Sequence, residues 1–158
     1  MIREMTAREL DECAAVIRRA FGTVAEEFGL TAENVPTNGA FLKAERLLAE
    51  RDKGFLQYGL LHDGAVIGYM QLEKAGEGTY YLEKLAVLPE HRHKGCGRQL
   101  LDFAKVKVRA LDGKKIGITI IEENSRLKDW YAAYGFTHTG TKRYDHLPFT
   151  VGFMEMHL

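Results

Sequence analysis

One segment constrains this chain more than any other. From Leu85 to Leu101 it reads Leu-Ala-Val-Leu-Pro-Glu-His-Arg-His-Lys-Gly-Cys-Gly-Arg-Gln-Leu-Leu. An apolar strand enters a short basic turn, and the turn opens directly into a helix with the stripe Leu100, Leu101, Ala104, Val108 and Leu111. A helix N-terminus presents unpaired N–H groups and about half a positive charge, which suits an anion. Gly95 and Gly97 let the backbone approach that anion closely. Arg92, Lys94 and Arg98 add formal charge around it. The inference is a phosphate-bearing ligand. On spacing alone, a helix that merely begins with glycines stays open as the plainer alternative. The triphosphate pattern G-x-x-x-x-G-K-[ST] is absent, and the dinucleotide pattern G-x-G-x-x-G fails at Leu100.

The rest of the chain supplies a fold around this segment. Its 158 residues are 46% hydrophobic, enough for one full core, so one domain over 1–158 is expected. Thr6 and Glu9 have capping-box spacing, and Leu10, Cys13, Ala14, Ile17 and Phe21 then share a helical face. A second helix is expected over Ala40 to Glu50. Strands follow at 55–62, 65–74 and 79–88, joined at Asp63-Gly64 and Gly76-Glu77-Gly78. The helix after Gly95 ends near Leu111; a strand at 115–121, a helix at 125–134 and strands near 136–144 and 149–157 complete the order βααβββαβαββ. This is an α+β chain with a mixed sheet.

Charge and cysteine usage narrow the partners. The 22 basic and 22 acidic residues cancel, which argues against extended nucleic acid or a membrane surface. The cancellation is local. His91 to Leu111 holds Arg92, Lys94, Arg98, Lys105, Lys107 and Arg109 against Asp102, so this window is +5 and the remainder −5. One small polyanion therefore has a place to bind. Two cysteines, no apolar leader after Met1-Ile2-Arg3-Glu4 and no apolar run of spanning length point to a cytoplasmic protein. The six histidines lack companion ligands at metal-binding spacing, so no metal is expected.

The residues Arg92-His93-Lys94-Gly95-Cys96-Gly97 match the R/Q-x-x-G-x-G/A acetyl-CoA signature of the GNAT N-acetyltransferase superfamily. The run Leu-Ala-Val-Leu-Pro-Glu before them resembles that family's lead-in. Asn124 to Phe136 resembles its second signature, N-x-x-x-x-x-x-Y-x-x-x-G-F. The resemblance covers nearly the whole chain, though Phe21 to Lys53 matches only as generic helix. It implies a mixed, mostly antiparallel sheet of about six to seven strands flanked by about four helices. Two strands, ending near Val87 and Ile121, would splay into a V-shaped slot. It also implies acetyl-CoA as co-substrate, with Leu85, Ala86 and Val87 pairing with the pantetheine arm as an added strand would. Backbone amides from His93, Lys94, Gly95, Cys96, Gly97 and Arg98 would hold the pyrophosphate, Asn124 would bond the arm, and Tyr131 would act as general acid at the sulfur.

Acyl transfer to an amine needs the amine neutral, because an alkylammonium titrates near 10. Glu83 stands two residues before Leu85, and strand alternation puts both on one face at the slot's edge, so Glu83 is a candidate base. A solvated strand residue is the plain alternative. Glu122, next to Asn124, is a second candidate, with a helix N-terminal carboxylate as the stronger alternative. For Tyr131 the alternative is a core tyrosine sharing the stripe of Leu127, Trp130 and Tyr134. Cys96, near a helix N-terminus, is weighed as a nucleophile, but its position is variable in the signature. The resemblance implies that the region between the first two helices helps form the acceptor site; Glu26, Glu27 and Glu33 there would attract a cationic acceptor, with an exposed acidic helix end the plain alternative, and the loop Arg143-Tyr144-Asp145-His146 would line the pocket. The expected reaction is direct acetylation of a primary amine, on a small molecule or a protein, in a ternary complex. A non-catalytic CoA-binding regulator, another acyl-CoA and a homodimer are left open.

Overall fold

The computed structural model describes residues 1–158. Its elements are β1 (Ile2–Glu4), α1 (Leu10–Glu27), α2 (Ala44–Asp52), β2 (Leu56–His62), β3 (Ala65–Gly76), β4 (Thr79–Val87), α3 (Cys96–Ala110), β5 (Lys115–Ile121), α4 (Ser125–Tyr134), β6 (Thr137–Arg143) and β7 (Thr150–His157). The order read from sequence holds throughout. The second helix starts later than expected. Asn38 accepts the Ala40 N–H at 2.9 Å and closes a separate 3-10 turn at Gly39–Phe41, so α2 begins only at Ala44.

The seven strands form one sheet in the order β1-β2-β3-β4-β5-β7-β6. Asp63 and Gly64, both at positive φ, make the tight β2–β3 turn, and Gly78 at φ +71° helps turn β3 into β4. Every neighbouring pair is antiparallel except β4 and β5, whose connection carries α3. The helices divide between the two faces. Tyr80 and Leu82 of β4, Ile116, Ile118 and Ile120 of β5 and Met154 of β7 pack with Leu100, Leu101, Ala104 and Val108 of α3 and Tyr131 of α4. On the opposite face Val66, Tyr69 and Ala86 pack with Cys13, Ala14 and Ile17 of α1 and Leu47. Burial pushes the Cys13 thiol up to about 12, as suits a core cysteine. No helix is long and apolar enough to cross a membrane.

Candidate active site

The site begins where the sheet opens. β4 and β5 pair only at Thr79–Lys115, Tyr80–Ile116 and Tyr81–Gly117. Beyond those rungs β4 stays on β3 and β5 stays on β7. The Leu88 N–H donates to Ile67 O at 2.9 Å. Antiparallel alternation then turns the main-chain groups of Ala86 toward β3 and leaves those of Leu85 and Val87 on the open edge. The Leu85 and Val87 side chains pack toward α3 and α4.

The open edge leads to the basic turn. Pro89–His91 form a 3-10 turn, His93 sits at φ +62°, and Gly95 caps α3 at φ +82°. The first intrahelical donor is Gln99 N–H, bonded to Gly95 O at 3.0 Å. The amides of His93, Lys94, Gly95, Cys96, Gly97 and Arg98 have no partner within the chain. Six consecutive unpaired donors at a helix N-terminus form a cradle for phosphate oxygens. The Lys94 and Arg98 side chains are exposed beside it, whereas Cys96 packs against the core. Arg92 departs from expectation. Its guanidinium donates to Ala20 O at 2.8 Å and Thr23 Oγ1 at 3.0 Å, so it ties the turn to α1 instead of facing an anion.

The second motif meets the cradle from α4. Asn124 is 8% exposed; its Oδ1 accepts the Leu127 N–H at 3.3 Å and caps α4, which leaves Nδ2 free to donate. A Cβ at Gly97 would lie 3.0 and 3.1 Å from two Trp130 ring atoms, so the indole rests on the first turn of α3. Tyr131 is 6% exposed, with ring centroids 5.0 Å from Trp130 and 5.4 Å from Phe136 in edge contact. Its hydroxyl has no hydrogen-bond partner in the chain, and burial raises the phenol well above its ordinary range. The side chain is thus part of the core and carries a hydroxyl with no internal hydrogen-bond partner.

Glu83 is not on the face expected for it. Tyr69 pairs with Ala86 and Gln71 with Glu83, so Lys84 and Leu85 stand opposite Met70 alone. This β-bulge, with Lys84 at φ +54°, breaks the alternation. Leu85 stays with the α3 side, while Glu83 turns to the α1 side and lies beside Gln71, whose Nε2 donates to Glu83 Oε2 at 3.2 Å. There Glu83 lines a cavity of about 490 Å³ that lies over the last paired rungs of β4 and β5, at the closed end of the split. Glu73, Tyr81, Lys115, Phe153 and Glu155 also line it. A Cβ at Gly117 would lie 2.9 Å from the Tyr81 ring, which therefore lies over β5 as part of the cavity wall. Lys115 is paired with Glu155 at 3.2 Å, leaving Glu73 and Glu83 as the lining carboxyls with no basic partner in the wall. Burial first, then the facing Glu73 carboxyl, raises the Glu83 carboxyl above the ordinary carboxylate value.

The other candidates are engaged elsewhere. Glu122 bonds Lys128 of α4 and accepts from His138 Nε2 of β6 at 2.8 Å; both partners lower its carboxyl and make it a poor base. Glu27 is clamped by Arg126 at 3.0 Å. The Arg143–His146 loop is not part of the cavity wall, and the following Leu147 and Phe149 pack on Ala25, Leu30 and Val35. Sequence reasoning missed Gln71, Glu73, Tyr81 and Glu155. One signal was available for the first: Gln57 and Gln71 interrupt apolar strands, and the sheet pairs them directly.

Residues 18–136 match the profile of the Acetyltransferase (GNAT) family. An uncharacterized N-acetyltransferase of Lactobacillus delbrueckii subsp. lactis, from the pepI 3′ region, is 26% identical over 149 residues, covering 86% of this chain and 83% of that protein. The PaiA N-acetyltransferase of Thermoplasma acidophilum, solved with coenzyme A, superposes with a TM-score of 0.78 at 20% identity, covering 100% of this chain and 98% of the other. The ribosomal-protein-S18-alanine N-acetyltransferase of Escherichia coli gives 0.78 at 15% identity, with coverages of 99% and 92%. With the splayed strands, the amide cradle and both signatures in register, this chain belongs to the GNAT acetyltransferase family.

Proposed function

We propose that the chain transfers an acetyl group from acetyl-CoA to a cationic primary amine by direct attack while both are bound. One observation carries this reading. The split between β4 and β5 runs from the amide cradle at the start of α3 to a cavity at its closed end, where the Glu73 and Glu83 carboxyls face each other without a basic residue in the wall paired to them. The free donors fit acetyl-CoA: six amides for the pyrophosphate, and the β4 edge and Asn124 Nδ2 for the amide-bearing arm. Acetyl-CoA supplies the acetyl group as a thioester. Glu73 and Glu83 attract the ammonium form of the acceptor. Glu83, its carboxyl raised by burial, accepts the ammonium proton and leaves the amine neutral. N–H groups on the β4 edge are available to the oxyanion that forms at the carbonyl. Tyr131 Oη gives its proton to the departing thiolate sulfur.

The acceptors named for fold neighbours, an S18 alanine and spermidine, are respectively a protein amine and a polyamine. Both chemistries suit an acid-lined cavity. The test is thiol release from acetyl-CoA against a panel of polyamines, amino-acid derivatives and peptides. Stoichiometric thiol and acetyl-amine, with intersecting initial-rate lines, support the reading. Tight CoA binding with no turnover on any amine would move the chain to the regulator class.

A further inference from the structure

We propose that Gln71 is a positioning residue that dictates which oxygen of Glu83 takes the acceptor's proton, and that Tyr69 holds Gln71 in the orientation this requires. The inference rests on the reading of Glu83 as proton acceptor. Gln71 and Tyr69 are both fully buried at 0% exposure, two residues apart on one face of β3. The Tyr69 hydroxyl donates to Gln71 Oε1 at 2.8 Å, and Gln71 Nε2 donates to Glu83 Oε2 at 3.2 Å. The chain of bonds has a direction. Burial keeps the Tyr69 phenol protonated, and with its hydroxyl donating to the Gln71 carbonyl the amide presents its NH2 to Glu83. Gln57, directly opposite Gln71 on β2, has its Nε2 committed to Leu47 O at 2.8 Å, while its Oε1 is buried without a bond of its own near the Tyr69 hydroxyl.

The consequence falls on Glu83. Oε2 already accepts an N–H, and a proton on that oxygen would face the Gln71 donor. The incoming proton therefore goes to Oε1, and the bond that forms is O–H at Oε1 as the acceptor's N–H bond breaks. A buried amide that cannot ionise supplies a fixed donor at any working pH. The charged groups facing Glu83 are Glu73 from β3, which disfavours its ionisation, and Lys84 on its own strand, which favours it; Lys84 is in turn held by Glu50 of α2.

The test uses the full chain labelled with 13C at glutamate Cδ, with the Glu83 resonance identified by its loss in Glu83→Gln. Gln71→Met keeps volume and removes the donor. It should raise the Glu83 midpoint by about one pH unit, and Tyr69→Phe should raise it by less. The acidic limb of kcat/KM, measured with the fastest amine of the panel, should move with the midpoint. CoA affinity, read by quenching of the single tryptophan, Trp130, should not change. A midpoint unmoved in the folded variants overturns the proposal; Tyr69→Phe carries the test if Gln71→Met does not fold. If Glu83→Gln keeps the wild-type acidic limb while Gln71→Met still moves the midpoint, the proton-acceptor reading has failed. The positioning role then falls with it, although the hydrogen bond stands.

Discussion

Tyr131→Phe separates catalysis from folding unusually cleanly. The substitution deletes one oxygen from a ring buried between Trp130 and Phe136. That oxygen has no partner in the chain, so no internal hydrogen bond is lost and no neighbour is left unsatisfied. The change in stability should stay below about 1 kcal/mol, or less than about 4 °C in Tm for a chain of this size. The kinetic effect should be far larger. General acid catalysis contributes roughly 100- to 10,000-fold, equivalent to about 3–5 kcal/mol of barrier. Burial keeps the phenol protonated well past neutrality, so the loss should be the same from pH 6 to 9. The assay is thiol release under saturating acetyl-CoA and amine, with CoA affinity followed by Trp130 fluorescence and Tm by calorimetry. Retention of kcat within about threefold would refute the proton-donor role. So would a loss that tracks a fall in Tm, because the ring would then be acting through packing.

Four further outcomes follow from particular contacts. Glu83→Gln should flatten the acidic limb of the pH–rate profile. It should also raise Tm at pH 8, because a carboxyl whose folded value lies above its unfolded value disfavours the fold once charged; this gain should vanish near pH 4. Gly97→Val should push against the Trp130 indole, which a Cβ alone approaches to 3.0 Å, and weaken CoA binding at least tenfold by fluorescence titration. Gly113→Ala would bring a methyl to 2.3 Å from Val108 Cγ1 and 2.9 Å from Val108 O; it should lower Tm by roughly 4–8 °C, for about 2 kcal/mol of overpacking, with CoA affinity unchanged. Arg3 and the Thr6 N–H hold the Glu9 carboxyl at about 2, below its unfolded value. Its contribution is complete above about pH 4.5 and lost as pH falls through about 2, so Glu9→Gln should lower Tm at pH 7 and by much less at pH 2.

The fold was legible because its signals are local. Ile-rich β5 and the α4 stripe have the residue limits the sequence implies, and the glycine-marked turns fall where expected. The amide cradle was legible for the same reason: a strand, two glycines and a helix start are contiguous. What the sequence hid depends on register. Nothing in Glu-Lys-Leu marks Lys84 as a left-handed residue, since lysine has no special access to that region. Simple alternation therefore put Glu83 on the face of Leu85. The Arg92 side chain was misread because its partners, Ala20 and Thr23, lie about 70 residues away on α1. The cavity wall escaped because Glu73, Tyr81, Gly117 and Glu155 form a row only once four strands are in register.

The bulge lets one strand serve both halves of the site. Were Glu83, Lys84 and Leu85 in regular alternation, Glu83 and Leu85 would point the same way, into the packing of α3 and α4. With the bulge, the open edge at Leu85 and Val87 still faces the slot, while Glu83 reaches the cavity on the opposite face. A left-handed lysine costs about 1–2 kcal/mol. The structure offsets this with the Lys84 ammonium, 3.0 Å from the Glu50 carboxylate of α2, the pair largely buried at side-chain exposures of 11% and 13%. Lys84→Gly would relieve the backbone but strand Glu50, whose Oε1 has no hydrogen-bond partner besides that ion pair. The lysine is thus retained by its partner rather than by its conformation. One of the contacts that hold α2 on the sheet also holds the bulge, and the bulge sets the direction of Glu83.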